Sequence, residues 1–316
     1  MHIVLTESLG IPDSLLNHYV APLIEEGHTF SAYPKTLDAH VLAEEIRDAD
    51  VIMLANMPMP KEALDACKHL KYVDVAFTGV DHVDLHTVKE KGALLSNASG
   101  YSNEAVAELA IEMMLSLLRH VPEVEERCRQ GKDKTGLVGR ELKGKTVGIV
   151  GLGKIGKRTA QLCQAFGCRV IGTSRTHQTG ELDGIACMTL EDLLVSSDIV
   201  VLHCPLNAST HHLMNERTID LMKDGALLLN LARGGVVDSK ALANALQSGK
   251  LAGAGIDVFD KEPPLQPDEP LLHAPNTLLT PHVAFATEES MALRAEIVFE
   301  NLRCFLEGQP SNLVGN

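Results

Sequence analysis

The sequence predicts an α/β protein whose parallel sheets carry helices on both faces and whose chain divides into two domains. Three observations support this. Short aliphatic runs alternate with longer helical stretches along the whole chain. The runs are apolar throughout rather than at every second residue, the pattern of strands covered on both faces. At 316 residues, the chain exceeds what one compact core usually supports.

Taken in order, the runs His2–Leu5, Val51–Leu54, Tyr72–Val75 and Ala93–Ser96 read as a first group of strands. A long helix, Ser102–Arg119, follows. Glu104, Glu108, Glu112 and Ser116 recur on it every four residues as one narrow polar stripe, and nearly every other position is apolar. Such a helix is buried on most sides. It is read as lying between the domains and meeting a second subunit, which predicts a homodimer. After the glycine-bearing stretch Arg129–Lys145 comes a second group of strands: Thr146–Val150, Arg169–Thr173, Ile199–Leu202, Ala226–Leu229, Gly253–Ile256 and Thr277–Thr280. A last helix, Thr287–Glu307, either caps the second domain or returns to the first.

Composition excludes several classes. Net charge is −14, which disfavours nucleic acid and anionic membrane surfaces as partners. No apolar run approaches the length of a membrane span. The start of the chain lacks the order of a secretion signal, so a cytoplasmic location is expected. The seven cysteines form no CxxC pair and read as small buried hydrophobes, not as a disulfide framework. His82 and His86 have a metal-compatible spacing but no third ligand, and no metal is expected. His211–His212 and Lys143–Lys145 read as solvated surface.

The first chemical signal is Val147–Gly156. A strand runs into Gly151-Leu152-Gly153-Lys154-Ile155-Gly156, a helix follows over Lys157–Phe166, and another strand comes after it. A G-x-G-x-x-G pattern alone is weak evidence. Within a complete strand–turn–helix–strand unit it marks a dinucleotide-binding turn: the glycines permit the tight turn, the backbone approach to the pyrophosphate and the close helix–strand packing. The helix N-terminus offers its N–H groups to the phosphates.

The end of the second strand sets coenzyme choice. Where an NAD site carries Asp or Glu to hold the ribose 2′-hydroxyl, this chain reads Ser174-Arg175-Thr176. A carboxylate would repel a 2′-phosphate. An arginine can clamp it, and two hydroxyls can add donors. NADP(H) is therefore favoured, with NAD(H) as the alternative.

Three further strand ends carry ionisable groups: Arg233 in Leu228–Asp238, Glu262 in Gly255–Pro263 and His282 in Leu279–Ala284. In open parallel sheets, ligands bind beyond the carboxyl ends of the strands. Hydride reduction of a carbonyl needs an acid for the nascent alkoxide, a task that suits His near neutral pH. A neighbouring carboxylate orients the ring and stabilises its cation, and an arginine fork matches a substrate carboxylate. Each residue also has a bland alternative: a turn arginine, a surface glutamate, a satisfied loop histidine.

Together these segments resemble the D-isomer-specific 2-hydroxyacid dehydrogenase family over essentially the whole chain. The resemblance rests on Val150–Gly156, His203-Cys204-Pro205-Leu206, Asn230-Leu231-Ala232-Arg233-Gly234, Asp257-Val258-Phe259 with Glu262-Pro263, and Pro281-His282. It also rests on spacings of 29 residues from Arg233 to Glu262 and 20 from Glu262 to His282. It implies two Rossmann-like domains with the substrate domain discontinuous, residues 1–100 plus 284–316 around a dinucleotide domain of 101–283.

It further implies that Arg233 binds the substrate carboxylate and carbonyl, that His282 is the acid/base, and that Glu262 is its partner. Asp257 would hold the nicotinamide carboxamide. His203, Cys204 and Pro205 would border the adenosine, with Ala232 also in the coenzyme site. Phe77-Thr78-Gly79-Val80-Asp81 resembles the family's substrate loop, in which the backbone amides of Gly79 and Val80 meet the carboxylate, and Tyr101 would lie nearby. The implied activity is reduction of 2-keto acids, such as glyoxylate or hydroxypyruvate, to D-2-hydroxyacids by a dimeric enzyme.

Ser174, in place of the usual Asp, and the absence of tryptophan depart from the family pattern. Glu262 argues against a formate dehydrogenase. The competing functions are a dinucleotide-sensing, corepressor-like binding protein and a short phosphoglycerate dehydrogenase.

Overall fold

Every aliphatic run singled out above forms a strand in the computed structural model, which describes residues 1–262 and 264–314. Residues 1–102 alternate strictly: β1 (His2–Leu5), α1 (Asp13–Glu25), β2 (Thr29–Ala32), α2 (Ala39–Ile46), β3 (Val51–Leu54), α3 (Lys61–Ala66), β4 (Tyr72–Val75), α4 (Leu85–Glu90) and β5 (Leu94–Asn97). The next stretch begins with two helices, α5 (Asn103–Arg119) and α6 (Val121–Arg129). It continues through β6 (Thr146–Val150), α7 (Lys154–Ala165), β7 (Arg169–Thr173), β8 (Glu181–Leu182), β9 (Ile185–Cys187), α8 (Leu190–Ser196), β10 (Ile199–Leu202), α9 (Glu216–Asp220), β11 (Ala226–Asn230), α10 (Ser239–Gln247), β12 (Leu251–Ile256) and β13 (Thr277–Leu279). The last helix is α11 (Glu288–Leu306).

The chain divides into two units, Met1–Ser102 with Ala286–Asn316, and Asn103–Phe285. The first holds a five-stranded parallel sheet in the order β2-β1-β3-β4-β5. α11 packs on β4 of this sheet. Its Thr287–Ser290 capping box satisfies both N-terminal groups reciprocally. It buries Ala295, Val298, Phe299 and Leu302, each large side chain contributing about 1.5–3 kcal/mol. Asn301, fully buried, donates to Asp74 Oδ1 (3.2 Å) and to the Asn97 carbonyl (3.1 Å). This ties the helix to two strands, and burial pushes the Asp74 carboxyl well up from its ordinary range.

The second unit holds an eight-stranded sheet in the order β13-β12-β11-β10-β6-β7-β9-β8, parallel throughout except for the β8–β9 pair. Strand order reverses between β6 and β10, the switch point at which open α/β sheets bind ligands. The strands bury both faces. Val200, Leu202 and Leu228 enter one apolar cluster, and Ile149, Val201 and Leu229 enter the other.

Three strands escaped the aliphatic-run criterion. β2 reads Thr-Phe-Ser-Ala and is half exposed at the edge of the smaller sheet, while β8, at the edge of the larger sheet, and its neighbour β9 are only two and three residues long. Edge strands need no continuous apolar run, because one side of their ladder meets solvent. α7 begins at Lys154 rather than Lys157, because its N-cap is Gly153; the last residues of the glycine motif form the first helical turn. In α5, Glu104, Glu108 and Glu112 are exposed, whereas Ser116 is buried and donates to Glu112 Oε1 at 2.5 Å. The apolar side of α5 packs on α7, β11 and β12, so much of its hydrophobicity is spent within one chain.

Candidate active site

The glycine turn lies at the carboxyl end of β6, at the switch point. Gly151 has φ +103°, and a Cβ there would sit 2.6 Å from His203 C and Cys204 N. Only glycine combines that backbone with that approach. A Cβ at Gly156 would lie 2.0 Å from the Gly151 carbonyl oxygen, so the helix presses directly on the turn. A Cβ at Gly153 would meet nothing within 4 Å. This residue caps α7 with no side-chain hydrogen bond, which leaves the first-turn N–H groups to an incoming anion. The turn therefore fits a dinucleotide pyrophosphate. Lys154 is exposed beside it, and Ile155 packs into the core below.

Ser174, Arg175 and Thr176 form a tight turn closed by His177, a residue the sequence reading passed over. The Ser174 amide donates to the His177 carbonyl (3.0 Å), and the His177 amide donates to Ser174 Oγ (3.2 Å). Thr176 Oγ1 lies 2.9 Å from His177 Nδ1. Both hydroxyls expected to be donors are thus engaged within the turn, while Arg175 is exposed. A histidine two residues beyond Arg175 was the available signal.

His203 Nε2 lies 2.9 Å from Thr159 Oγ1, and burial brings the His203 pKa down to about 4. Cys204 is buried, its thiol pushed up to about 11, and Pro205 is exposed.

Arg233 stands at the end of β11 in an extended conformation (φ −148°, ψ 143°). Asn230, buried at the same strand end, brackets it: its Oδ1 accepts the Ala232 amide (3.1 Å), and its Nδ2 donates to the Arg233 carbonyl (2.9 Å). The guanidinium Nη1 donates to the Ala232 carbonyl at 2.9 Å. A Cβ on Gly234 would fall 1.9 Å from Phe259 C, so the missing side chain lets the Arg233 loop nest against the loop that leads to Glu262.

Glu262 Oε2 and His282 Nδ1 are 3.0 Å apart, with the histidine side chain mostly buried and the glutamate 46% exposed. Phe285 meets the His282 ring edge-on, with centroids 5.4 Å apart. His282 adopts φ +56°, unusual for a side-chain-bearing residue and in need of local support. Asp257 supplies it. Its carbonyl accepts the His282 amide at 2.7 Å. Its fully buried carboxylate accepts from Thr280 Oγ1 (2.6 Å), the Val283 amide (2.8 Å) and the Ala284 amide (3.0 Å). Both carboxylate oxygens thus face the 280–284 turn. Burial raises the Asp257 pKa. Pro263, part of the matched motif, lies outside the described residues.

In the first unit, the Gly79 and Val80 amides donate to no protein acceptor among the described residues. Thr78 presents its carbonyl to Asn97 Nδ2 (2.7 Å), and its Oγ1 is buried without a hydrogen-bond partner. Tyr101 is buried, with its ring 6.1 Å from that of Phe77 and the Arg294 guanidinium 5.7 Å from its centroid. Among the described residues no cluster of three metal-ligating side chains occurs, and no helix is long and apolar enough to cross a membrane.

Residues 111–284 match the family described as D-isomer specific 2-hydroxyacid dehydrogenase, NAD binding domain. The chain belongs to that family. Hydroxypyruvate reductase from Blautia hydrogenotrophica is 36% identical over 288 residues, covering 88% of each chain. The TT0316 protein of Thermus thermophilus superposes with a TM-score of 0.89 over the full length of both chains at 35% identity. An NADPH-dependent glyoxylate/hydroxypyruvate reductase from Sinorhizobium meliloti, solved with NADP and malonate, superposes with a TM-score of 0.85 at 29% identity, covering 99% of this chain and 96% of that one. Membership makes this 2-hydroxyacid dehydrogenase an oxidoreductase that takes a nicotinamide dinucleotide.

Proposed function

We propose that this dehydrogenase reduces small 2-keto acids, glyoxylate and hydroxypyruvate foremost, to 2-hydroxyacids, of D configuration where the product is chiral, with NADP(H) as the preferred coenzyme. The 3.0 Å pairing of His282 Nδ1 with Glu262 carries the reading, because a histidine oriented by a carboxylate is the arrangement that proton transfer to a carbonyl oxygen needs.

The coenzyme, when bound, supplies the hydride. His282 then delivers the proton to the carbonyl oxygen, and Glu262 fixes the ring plane and stabilises its charged form. Arg233 clamps the substrate carboxylate and polarises the carbonyl. Asp257 acts through His282 by shaping its turn. Gly151, Gly153 and Gly156 admit the pyrophosphate, with Lys154 and Ile155 completing that turn. His203, Cys204, Pro205 and Ala232 line the coenzyme's path. In the first unit, Thr78, Gly79, Val80 and Tyr101 are the substrate-binding residues, the Gly79 and Val80 amides suiting a carboxylate.

NADP(H) is favoured over NAD(H) because Ser174 stands where an acid would repel a 2′-phosphate, and Arg175 beside it is exposed. The NADPH-dependent reductase reported above supports this choice.

A homodimer is the proposed assembly. Its support lies beyond α5, in the exposed Val121 and Val124 of α6 and in Val138, which is 87% exposed. Light scattering tests it: about twice the 34.1 kDa chain mass is expected, and the single-chain mass at micromolar concentration would refute it.

The activity is tested by turnover of a keto-acid panel with each coenzyme. Arg233→Ala is expected chiefly to raise KM for the keto acid, and an unchanged KM would remove Arg233 from that role.

A further inference from the structure

We propose that Cys163 and Cys168 form a reversible thiol–disulfide site at the carboxyl end of α7. The backbone brings the two residues together. The Cys168 amide donates to the Cys163 carbonyl (3.0 Å), and the Gly167 amide donates to the Gln164 carbonyl (2.9 Å), with Gly167 at φ +79°. This is the Schellman ending of a helix, in which the side chains at its two outer positions touch. Here both are cysteines.

The 3.0 Å main-chain bond holds their α-carbons to at most about 7 Å, against the about 4.4–6.8 Å that a disulfide spans. The Cys168 thiol donates to the Leu142 carbonyl at 3.5 Å. Cys163 is fully buried, while Cys168 is partly exposed. The neighbouring Cys168 and burial push the Cys163 thiol well up from its ordinary range. The neighbouring Cys163, with the Lys145 ammonium adding to it, lowers the Cys168 pKa. The exposed member is therefore the nucleophile and the buried member the resolving thiol, the arrangement that makes a cysteine redox-responsive.

The oxidant is a hydroperoxide. The Cys168 thiolate attacks its terminal oxygen: an S–O bond forms, the O–O bond breaks, and water or an alcohol leaves. Cys163 then attacks the Cys168 sulfur: an S–S bond forms, the S–O bond breaks, and water leaves with the thiol proton. The two sulfurs give up two electrons, and the hydroperoxide is reduced by two.

The sequence offers a direct readout, because trypsin releases both cysteines in one peptide, Thr159–Arg169. The full chain is treated with increasing hydrogen peroxide, denatured, alkylated with iodoacetamide and digested. The wild-type peptide is expected to carry no label and to weigh two hydrogens less, and dithiothreitol should restore both alkylation sites. Cys168→Ser should leave Cys163 alkylatable. Cys163→Ser should drive Cys168 on to sulfinic acid or a mixed disulfide. A doubly alkylated peptide at peroxide levels that consume the exposed Cys128 would overturn the proposal. So would Cys168 pairing with any other cysteine.

Discussion

The main-chain oxygen of Asp257 accepts the amide of His282 at 2.7 Å, joining a buried acid at the end of β12 to the histidine that follows β13. The Asp257 carboxylate takes three further donors from the same turn. Asp257→Asn places an NH2 donor against one of those donors, and an unsatisfied buried group costs about 1–3 kcal/mol. The variant should melt at lower temperature and lose kcat, with KM for the coenzyme little changed. A large coenzyme KM effect at unchanged Tm would instead favour a direct carboxamide contact.

Gly234 and Gly156 allow close approaches that a methyl group would destroy. Gly156→Ala drives Cβ to 2.0 Å from the Gly151 oxygen, so coenzyme affinity measured by fluorescence titration should fall at least tenfold. Gly234→Ala meets Phe259 backbone at 1.9 Å; it should separate the Arg233 and Glu262 loops and lower kcat/KM for the keto acid. Wild-type kinetics in either variant would mean that these turns do not shape the site.

Coenzyme choice is concentrated at one position. Ser174→Asp puts a carboxylate where a 2′-phosphate would lie, and the kcat/KM ratio of NADPH to NADH should fall by at least an order of magnitude. A ratio unmoved by the substitution would place discrimination elsewhere, Arg175 being the neighbouring cation.

His203 makes stability depend on pH. Unfolded, it takes a proton near pH 6.5; folded, it remains neutral until about pH 4. Between these values the unfolded chain binds more protons, so this contribution is intact above about pH 6.5 and is lost as the pH falls toward about 4. The full shift corresponds to roughly 3 kcal/mol, and less is expected because the residue keeps some solvent contact. His203→Asn should therefore lose less Tm than the wild type between pH 6.5 and 4.5, as read by calorimetry. Parallel Tm curves would contradict this.

The sequence made the buried strands legible because parallel strands covered on both faces are apolar at every residue, as in Val51–Leu54 and Ile199–Leu202. It concealed β2 and β8, whose edge positions relax that demand, and β9, which is only three residues long. In the candidate site, the chemistry expected at strand ends singled out Arg233, Glu262 and His282, of which Glu262 and His282 lie together. Asn230, His177 and the anchoring use of Asp257 could not, because their contributions are hydrogen bonds to main-chain groups and neighbouring side chains. No spacing rule reports such contacts. The apolar pattern of α5 was read as pointing partly to another subunit, whereas α7, β11 and β12 of the same chain account for much of it.

The central claim is tested most directly by following NADPH absorbance when purified protein meets glyoxylate or hydroxypyruvate, with His282→Ala measured beside it. Steady NADPH oxidation by the wild type and a kcat lowered about 10²–10⁴-fold in the variant are expected. Coenzyme binding without turnover of any keto acid, or wild-type turnover by His282→Ala, would contradict it.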